Sequence, residues 1–304
     1  MVYVEEISRE GRKYFRLVHA MREKGRVLHK RKYLGISLPP EKRLEYLKKE
    51  FLKELAGGKY RLLSKEDFEA IEKKRLEHNL GIKRLSFTEK EKYLDNFMIR
   101  FTYDSSKLSG MDITLRQTSL ILKDGIIPKD FKSLKTANQL ESHKKGIVAI
   151  TEYDGRLNLG FIKKLHSILF AGIDDSIAGK LRSELKRNVK IAGTAYIPPK
   201  WDILDKEIGL FFKWYNSENR KLHPLELAAL VHLKMISLQP FVDGNSRLSR
   251  LLMNWVLWKK DYPLIDIPIE DLEEYYDVLD KYQIEKDEKP FVDFIKKKFM
   301  EIEY

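Results

Sequence analysis

The sequence predicts a mainly α protein: a helical core interrupted by one β-hairpin and preceded by a small antiparallel β meander. Three observations lead there. From about residue 86 onward apolar residues recur at the 3.6-residue helical period. The first 36 residues instead alternate apolar and polar in short runs, broken at Glu10-Gly11 and Lys24-Gly25. Between helices, "NVKIAGTAYIPP" at 188–199 is β-type, with Gly193 and the pair Pro198-Pro199 marking a turn and an end.

Composition supports a packed domain. The chain has 304 residues, 43% of them apolar, with 15 Tyr, 15 Phe and 4 Trp, enough to bury a substantial core. No apolar run approaches the length of a membrane span and no charged-then-apolar leader is present, so neither a span nor a signal peptide is expected and the chain is placed in the cytoplasm. Zero Cys excludes disulfides, thiolate metal sites and cysteine nucleophiles. The net charge of +12 can favour an acidic partner but says nothing about fold.

Taken in order, residues 1–36 read as a three-stranded meander that is too small to stand alone and must dock. Its cations are Arg9, Arg12, Lys13, Arg16, Arg22, Lys24, Arg26, Lys30, Arg31 and Lys32, interleaved with Tyr14, Phe15 and Tyr33. Such a surface can stack bases while its cations meet phosphates. The plainer reading is a solvated sheet whose aromatics pack on neighbouring helices. Residues 37–85 form a helical connector. Leu44, Leu47, Phe51, Leu52 and Leu55 hold helical spacing until Gly57-Gly58, and Ser64 with Asp67 opens a second helix as a capping box. A core over 86–285 then carries helices near 88–103, 114–123, 132–152, 158–170, 202–217, 223–238, 244–260 and 270–281, and a C-terminal helix lies within 286–304.

One stretch has the chemistry of an anion cradle: "QPFVDGNSRLSR", 239–250. Gly244 and Asn245 tolerate left-handed backbone angles, so successive N–H groups can converge on one anion. They open a helix whose dipole adds positive potential there. Arg247 and Arg250 lie one turn apart and give two forks for phosphate oxygens. Asp243 could hold Mg²⁺ bridging a polyphosphate. Phe241 reads as an apolar anchor.

These residues resemble the Fic (Fic/Doc) family, whose motif is His-x-Phe-x-Asp/Glu-Gly-Asn-x-Arg-x-x-Arg. Every defined position except the first is matched. Other stretches are similar in the right order: "HPLELAALVHLKMISLQPF", the helix leading into the loop; "NVKIAGTAYIPP", the flap; "LHSILF" at 165–170; "AGKLR" at 178–182; and "TYDSSKLSGMDITLRQT", the inhibitory-helix region at about 103–122. The resemblance implies transfer of AMP from ATP to a hydroxyl of a target protein. By the same resemblance Gly244, Asn245, Ser246 and Arg247 hold phosphates, Asp243 binds Mg²⁺, and Arg250 meets the γ-phosphate. The flap residues Ile191, Ala192, Gly193, Thr194, Ala195 and Tyr196 dock the target by strand addition. Family members often dimerise, so a homodimer is implied too.

The sequence departs from that pattern twice. Where the family has the His that deprotonates the attacking hydroxyl stands Gln239, whose amide can orient a hydroxyl but cannot take its proton; losing a general base typically costs about 10²–10⁴ in rate. His232, two turns back on the same helix, is roughly 10 Å away and is expected to be a hydrogen-bonded structural histidine. Ser109 stands where self-inhibited relatives carry the Glu that pairs with the motif's last Arg, so Arg250 is expected to be free for a nucleotide. Three readings stay open: an impaired adenylyltransferase, a degenerate domain that binds a nucleotide or phosphate as regulator or scaffold, and a nucleic-acid-associated factor acting through residues 1–36.

Overall fold

The computed structural model describes residues 2–9, 12–23, 26–41, 43–45, 47–48, 51, 61–129, 131 and 133–302. They divide into two compact units, Met1–Arg61 with Lys221–His223, and Leu62–Arg220 with Pro224–Tyr304. The expected helix through Leu44 to Leu55, and both meander turns, fall largely outside the described residues.

In the smaller unit the alternating pattern does form a meander: β1 (Val2–Arg9), β2 (Arg12–Glu23) and β3 (Arg26–Gly35), antiparallel in the order β1-β2-β3. Ile7 pairs with Tyr14, Glu5 with Arg16, Arg16 with Tyr33 and Val18 with Arg31, and a bulge lies between Phe15 and Arg16. Side chains alternate across a strand, so Ile7, Tyr14, Arg16, Arg31 and Tyr33 share one face.

The larger unit is helical: α1 (Lys65–Arg84), α2 (Phe87–Lys107), α3 (Leu115–Asp124), α4 (Leu134–Glu152), α5 (Leu159–Phe170), a single turn α6 (Arg182–Leu185), α7 (Leu204–Glu218), α8 (Pro224–Leu238), α9 (Asn245–Lys259), α10 (Leu272–Glu285) and α11 (Lys289–Met300). The starts follow local chemistry. Reciprocal capping boxes open α1 (Ser64, Asp67), α2 (Ser86, Glu89) and α3 (Thr114, Gln117). Gly125, at φ +67°, closes α3. Thirteen α8 residues are buried, from Leu225 to Leu238 with Lys234 excepted, because α7, α9, α10 and α11 all pack on it. A helix apolar all round belongs at the centre. α9 runs beside it and also touches α2, α4 and α5. No helix among the described residues is long and apolar enough to cross a membrane.

The segment 188–199 differs from the expected hairpin. It turns at Ala192-Gly193, with Gly193 at φ +82°, but no strand pairing joins its limbs. Its polar groups are anchored elsewhere: Thr194 Oγ1 donates to Asp280 (2.6 Å) and the Tyr196 hydroxyl to the Ser237 carbonyl (3.0 Å). Pro198 and Pro199 cannot donate to a ladder.

Candidate active site

The site is the junction between the end of α8 and the start of α9. The α8 helix stops at Gln239, held at φ +47°, a left-handed angle uncommon outside glycine. Stopping a helix leaves carbonyls without partners, and here Arg182 supplies them. Its fully buried guanidinium donates to the carbonyls of Gln239 (2.5 Å), Leu238 (3.3 Å), Pro199 (2.9 Å) and Arg187 (3.3 Å). One side chain thus fixes both the α8 terminus and the base of the 188–199 segment.

The loop after Gln239 is braced from within. Asn245 accepts from the Phe241 amide (3.0 Å) and donates to the Phe241 carbonyl (2.8 Å) and to Gln239 Oε1 (2.8 Å). Gln239 Nε2 donates to the Ile236 carbonyl (2.8 Å). Both ends of the Gln239 amide are therefore used inside the loop. The tight bend uses the Asn245 side-chain amide as its own cross-strut.

His166 supports the loop from below. It accepts from the Gly179 amide at Nδ1 (2.9 Å), so the proton sits on Nε2, which donates to the Asp243 carbonyl (3.0 Å). Its ring lies parallel to Phe241, centroids 3.7 Å apart, and stacks on Phe170 at 4.6 Å. Burial above all pushes its pKa down to about 4, with Arg247 adding to the effect, so the ring is neutral. Gly244 sits at φ +77°, and a Cβ there would lie 2.4 Å from Phe170. Only glycine fits.

What the bend presents outward is a set of unpaired donors. The Gly244 amide is taken by Asp243 Oδ1 (2.6 Å). The amides of Asn245, Ser246 and Arg247 at the α9 N-terminus have no acceptor. Arg247 is buried with its guanidinium 5.2 Å from the Phe170 ring centroid and Nη1 without a partner. Burial lowers its pKa, against the opposing field of Asp243.

Arg250 is not free, contrary to expectation. It is fully buried, and donates to Ser105 Oγ (2.8 Å), the Ser105 carbonyl (2.7 Å) and Ser109 Oγ (2.9 Å), while Nη1 has no partner. The absent ion pair is replaced by hydroxyl contacts from the end of α2. That end is set by Gly110 at φ +84°, while the Met111 amide returns to the Ser106 carbonyl (3.0 Å). His143, fully buried on α4, bonds Thr102 of α2 through Nδ1 (3.0 Å); burial and the fields of Arg247 and Arg250 push its pKa well down. His232 meets the Tyr275 hydroxyl (3.0 Å) and stacks on Phe291. Its pKa is pushed down to about 3, again by burial first.

A family model for the Fic/DOC family matches residues 156–257, which span the braced loop, Arg182 and His166. The chain is 34% identical over 223 residues to the protein adenylyltransferase Fic of Drosophila erecta, covering 72% of this chain and 42% of that one. A crystal structure of a Fic domain containing signaling protein from Bacteroides thetaiotaomicron superposes at TM-score 0.68 and 27% identity, over 77% of this chain and 92% of that chain. The chain carries a Fic domain. Fic-1 of C. elegans shares its fold at TM-score 0.66 and 20% identity, over 86% of this chain and 75% of that one. The Fic domain and its flanks here span about two fifths of the length of the curated relatives they match.

Sequence reasoning passed over several residues that organise this Fic domain. Arg182 and His166 lay inside quoted matches, "AGKLR" and "LHSILF", without a role. Ser105, which heads the Ser-x-x-x-Ser-Gly register, binds Arg250 more fully than Ser109 does. Thr102 opened the quoted stretch "TYDSSKLSGMDITLRQT" without a role, and His143 lay in none of the quoted stretches.

Proposed function

We propose that this Fic domain binds ATP at the α9 N-terminus and transfers its AMP moiety to a protein hydroxyl, at a rate held down by Gln239. The observation that carries the reading is Arg247: a buried guanidinium with an unpaired nitrogen, beside three amides that also lack acceptors. A buried guanidinium nitrogen without a hydrogen-bond partner is costly, and an anionic ligand removes the cost. A triphosphate laid over the bend meets the Ser246 and Arg247 amides, then the Arg247 guanidinium, and reaches Arg250 once the α2 hydroxyls let go. The relatives named as adenylyltransferases support AMP as the transferred group.

Asp243 is exposed, and one carboxylate oxygen remains unpaired beyond its bond to the Gly244 amide. That fits Mg²⁺, which is commonly held by one or two carboxylates together with substrate phosphates and water. When bound, the ion neutralises charge on the leaving pyrophosphate. The 191–196 segment fits target docking, because Ala192, Gly193 and Ala195 are exposed and no backbone pairing joins its limbs, the Tyr196 amide alone being taken, by Thr194 Oγ1 (3.2 Å).

The second reading, a nucleotide-binding domain without transfer, is favoured by the Gln239 amide being hydrogen-bonded at both ends within the protein. One substitution separates the two. His is enriched among residues at left-handed angles, so Gln239→His suits the local backbone. With labelled ATP and a lysate it should raise adduct formation by about 10²-fold or more, while Arg247→Ala should abolish ATP binding in both backgrounds. Gln239→His that binds ATP and still forms no adduct would leave the binding reading standing alone.

A further inference from the structure

We infer that the exposed face of the N-terminal sheet is a binding platform for single-stranded nucleic acid. It rests on a different surface from the nucleotide loop. Ile7, Tyr14, Arg16, Arg31 and Tyr33 line a cavity of about 440 Å³ on that face. The Tyr14 and Tyr33 rings are 6.2 Å apart, inclined at 46°, and Tyr33 is 62% exposed. An exposed ring beside a half-buried one on a small sheet offers little to folding. The Tyr33 ring offers a base a π-face on which to stack, with Tyr14 backing it.

The charges around the rings match a phosphate chain. Arg16 is held by Glu5 (Nε to Oε2, 2.5 Å), which fixes the fork between the tyrosines' strands and leaves Arg31 as the cation without a hydrogen-bond partner among the described residues of this face. Arg31 and Tyr33 lie two residues apart on β3, roughly 6.6 Å along the strand, so a base stacked on Tyr33 places its backbone beside the Arg31 guanidinium. Residues 1–36 hold ten Lys or Arg against four Glu, a surplus of six that is half of the net +12 of the chain. Such a field draws in a polyanion, and the rings select one that carries bases. A duplex keeps its bases stacked inside and offers the rings nothing.

The test uses the whole chain and fluorescence anisotropy with labelled oligo-dT and oligo-U of about 15 nucleotides, a duplex of equal length, and heparin. Both single strands should bind more tightly than the duplex, and binding should weaken steeply between about 50 and 200 mM salt. Tyr33→Ala should weaken single-strand binding by roughly fivefold to a hundredfold, Tyr33→Phe should retain it, and Arg31→Ala should lower the salt slope by about one. Tyr33→Leu, apolar but not flat, guards against mere loss of packing and should behave as Tyr33→Ala, with an unfolding temperature equal to the parent's. Arg247→Ala should leave all of this unchanged. Equal binding of duplex, heparin and single strand, or indifference to Tyr33→Ala, would reduce the face to a charged surface and overturn the inference.

Discussion

Arg182, outside the motif, turns one guanidinium towards four backbone carbonyls, among them those of Leu238 and Gln239 where α8 ends. Truncating it strands carbonyls in a dry interior, each costing about 1–3 kcal/mol. Arg182→Ala should therefore lower unfolding stability by at least about 3 kcal/mol in urea titration, where loss of a simple surface cation would move it by less than about 0.5 kcal/mol. Gly244→Ala makes the complementary case. Its Cβ would press into Phe170 at 2.4 Å and its φ of +77° disfavours any side chain. ATP binding, followed by calorimetry, should be lost while the helical circular dichroism persists, because the clash is confined to the bend. Both glycine and arginine are plain in the sequence. Only the fold shows that one excludes Phe170 and the other caps a helix end.

At the scale of elements, α2 and α9 meet through Arg250. The contact is built from two serine side chains and one carbonyl, all neutral, so a nucleotide has only hydrogen bonds to displace. Ser109→Glu would put a carboxylate where Oγ now sits, 2.9 Å from Arg250 Nη2. Hydrogen bonds between charged groups are worth about 1.5–3 kcal/mol, more than the few tenths that a negative charge costs near a helix C-terminus. ATP affinity should fall about tenfold or more, and Ser109→Ala should leave it equal or slightly tighter; unchanged affinity in Ser109→Glu would show that the α2 end does not compete with the nucleotide. The register of this contact was legible in the Ser-x-x-x-Ser-Gly spacing. That the arginine stays engaged without a carboxylate was not, since a hydroxyl's reach depends on where α2 lies against α9.

The whole molecule answers to pH from two sides. His166 and His232 are held neutral by burial, with pKa values of about 4 and about 3 against an ordinary 6.5. The unfolded chain binds their protons first, so the stability they contribute is present above about pH 6.5 and drains away as pH falls towards 4 and then 3. At about 1.4 kcal/mol per unit, His166 alone accounts for about 3 kcal/mol of acid lability. Asp266 acts with the opposite sign. Burial first, then the neighbouring Asp104, raises its pKa well above the ordinary 3.8, against the Ile267 amide and Arg100. Its contribution is complete below that ordinary value and is lost as pH climbs through the raised one. Asp266→Asn should flatten the alkaline limb of a melting-temperature profile and leave the acid limb in place. A parallel shift of both limbs would contradict this assignment.

By itself the sequence determined the helical periods, the capping box at Ser64, the alternating meander and the Gly244-Asn245 bend ahead of α9, because each depends on residues within a few positions of one another. The helices near 88–103 and 244–260 lie at Phe87–Lys107 and Asn245–Lys259 for that reason. Tertiary structure alone decided what had no local signature. Arg182 and Gln239 are 57 positions apart, and Ser105 and Arg250 are 145 apart. The same holds for 188–199, where core anchors at Ser237 and Asp280 replace the cross-limb ladder that its β-type residues suggested. Hydrogen bonds of this kind are set by where helices pack, and packing is a property of the whole apolar surface rather than of any stretch within it.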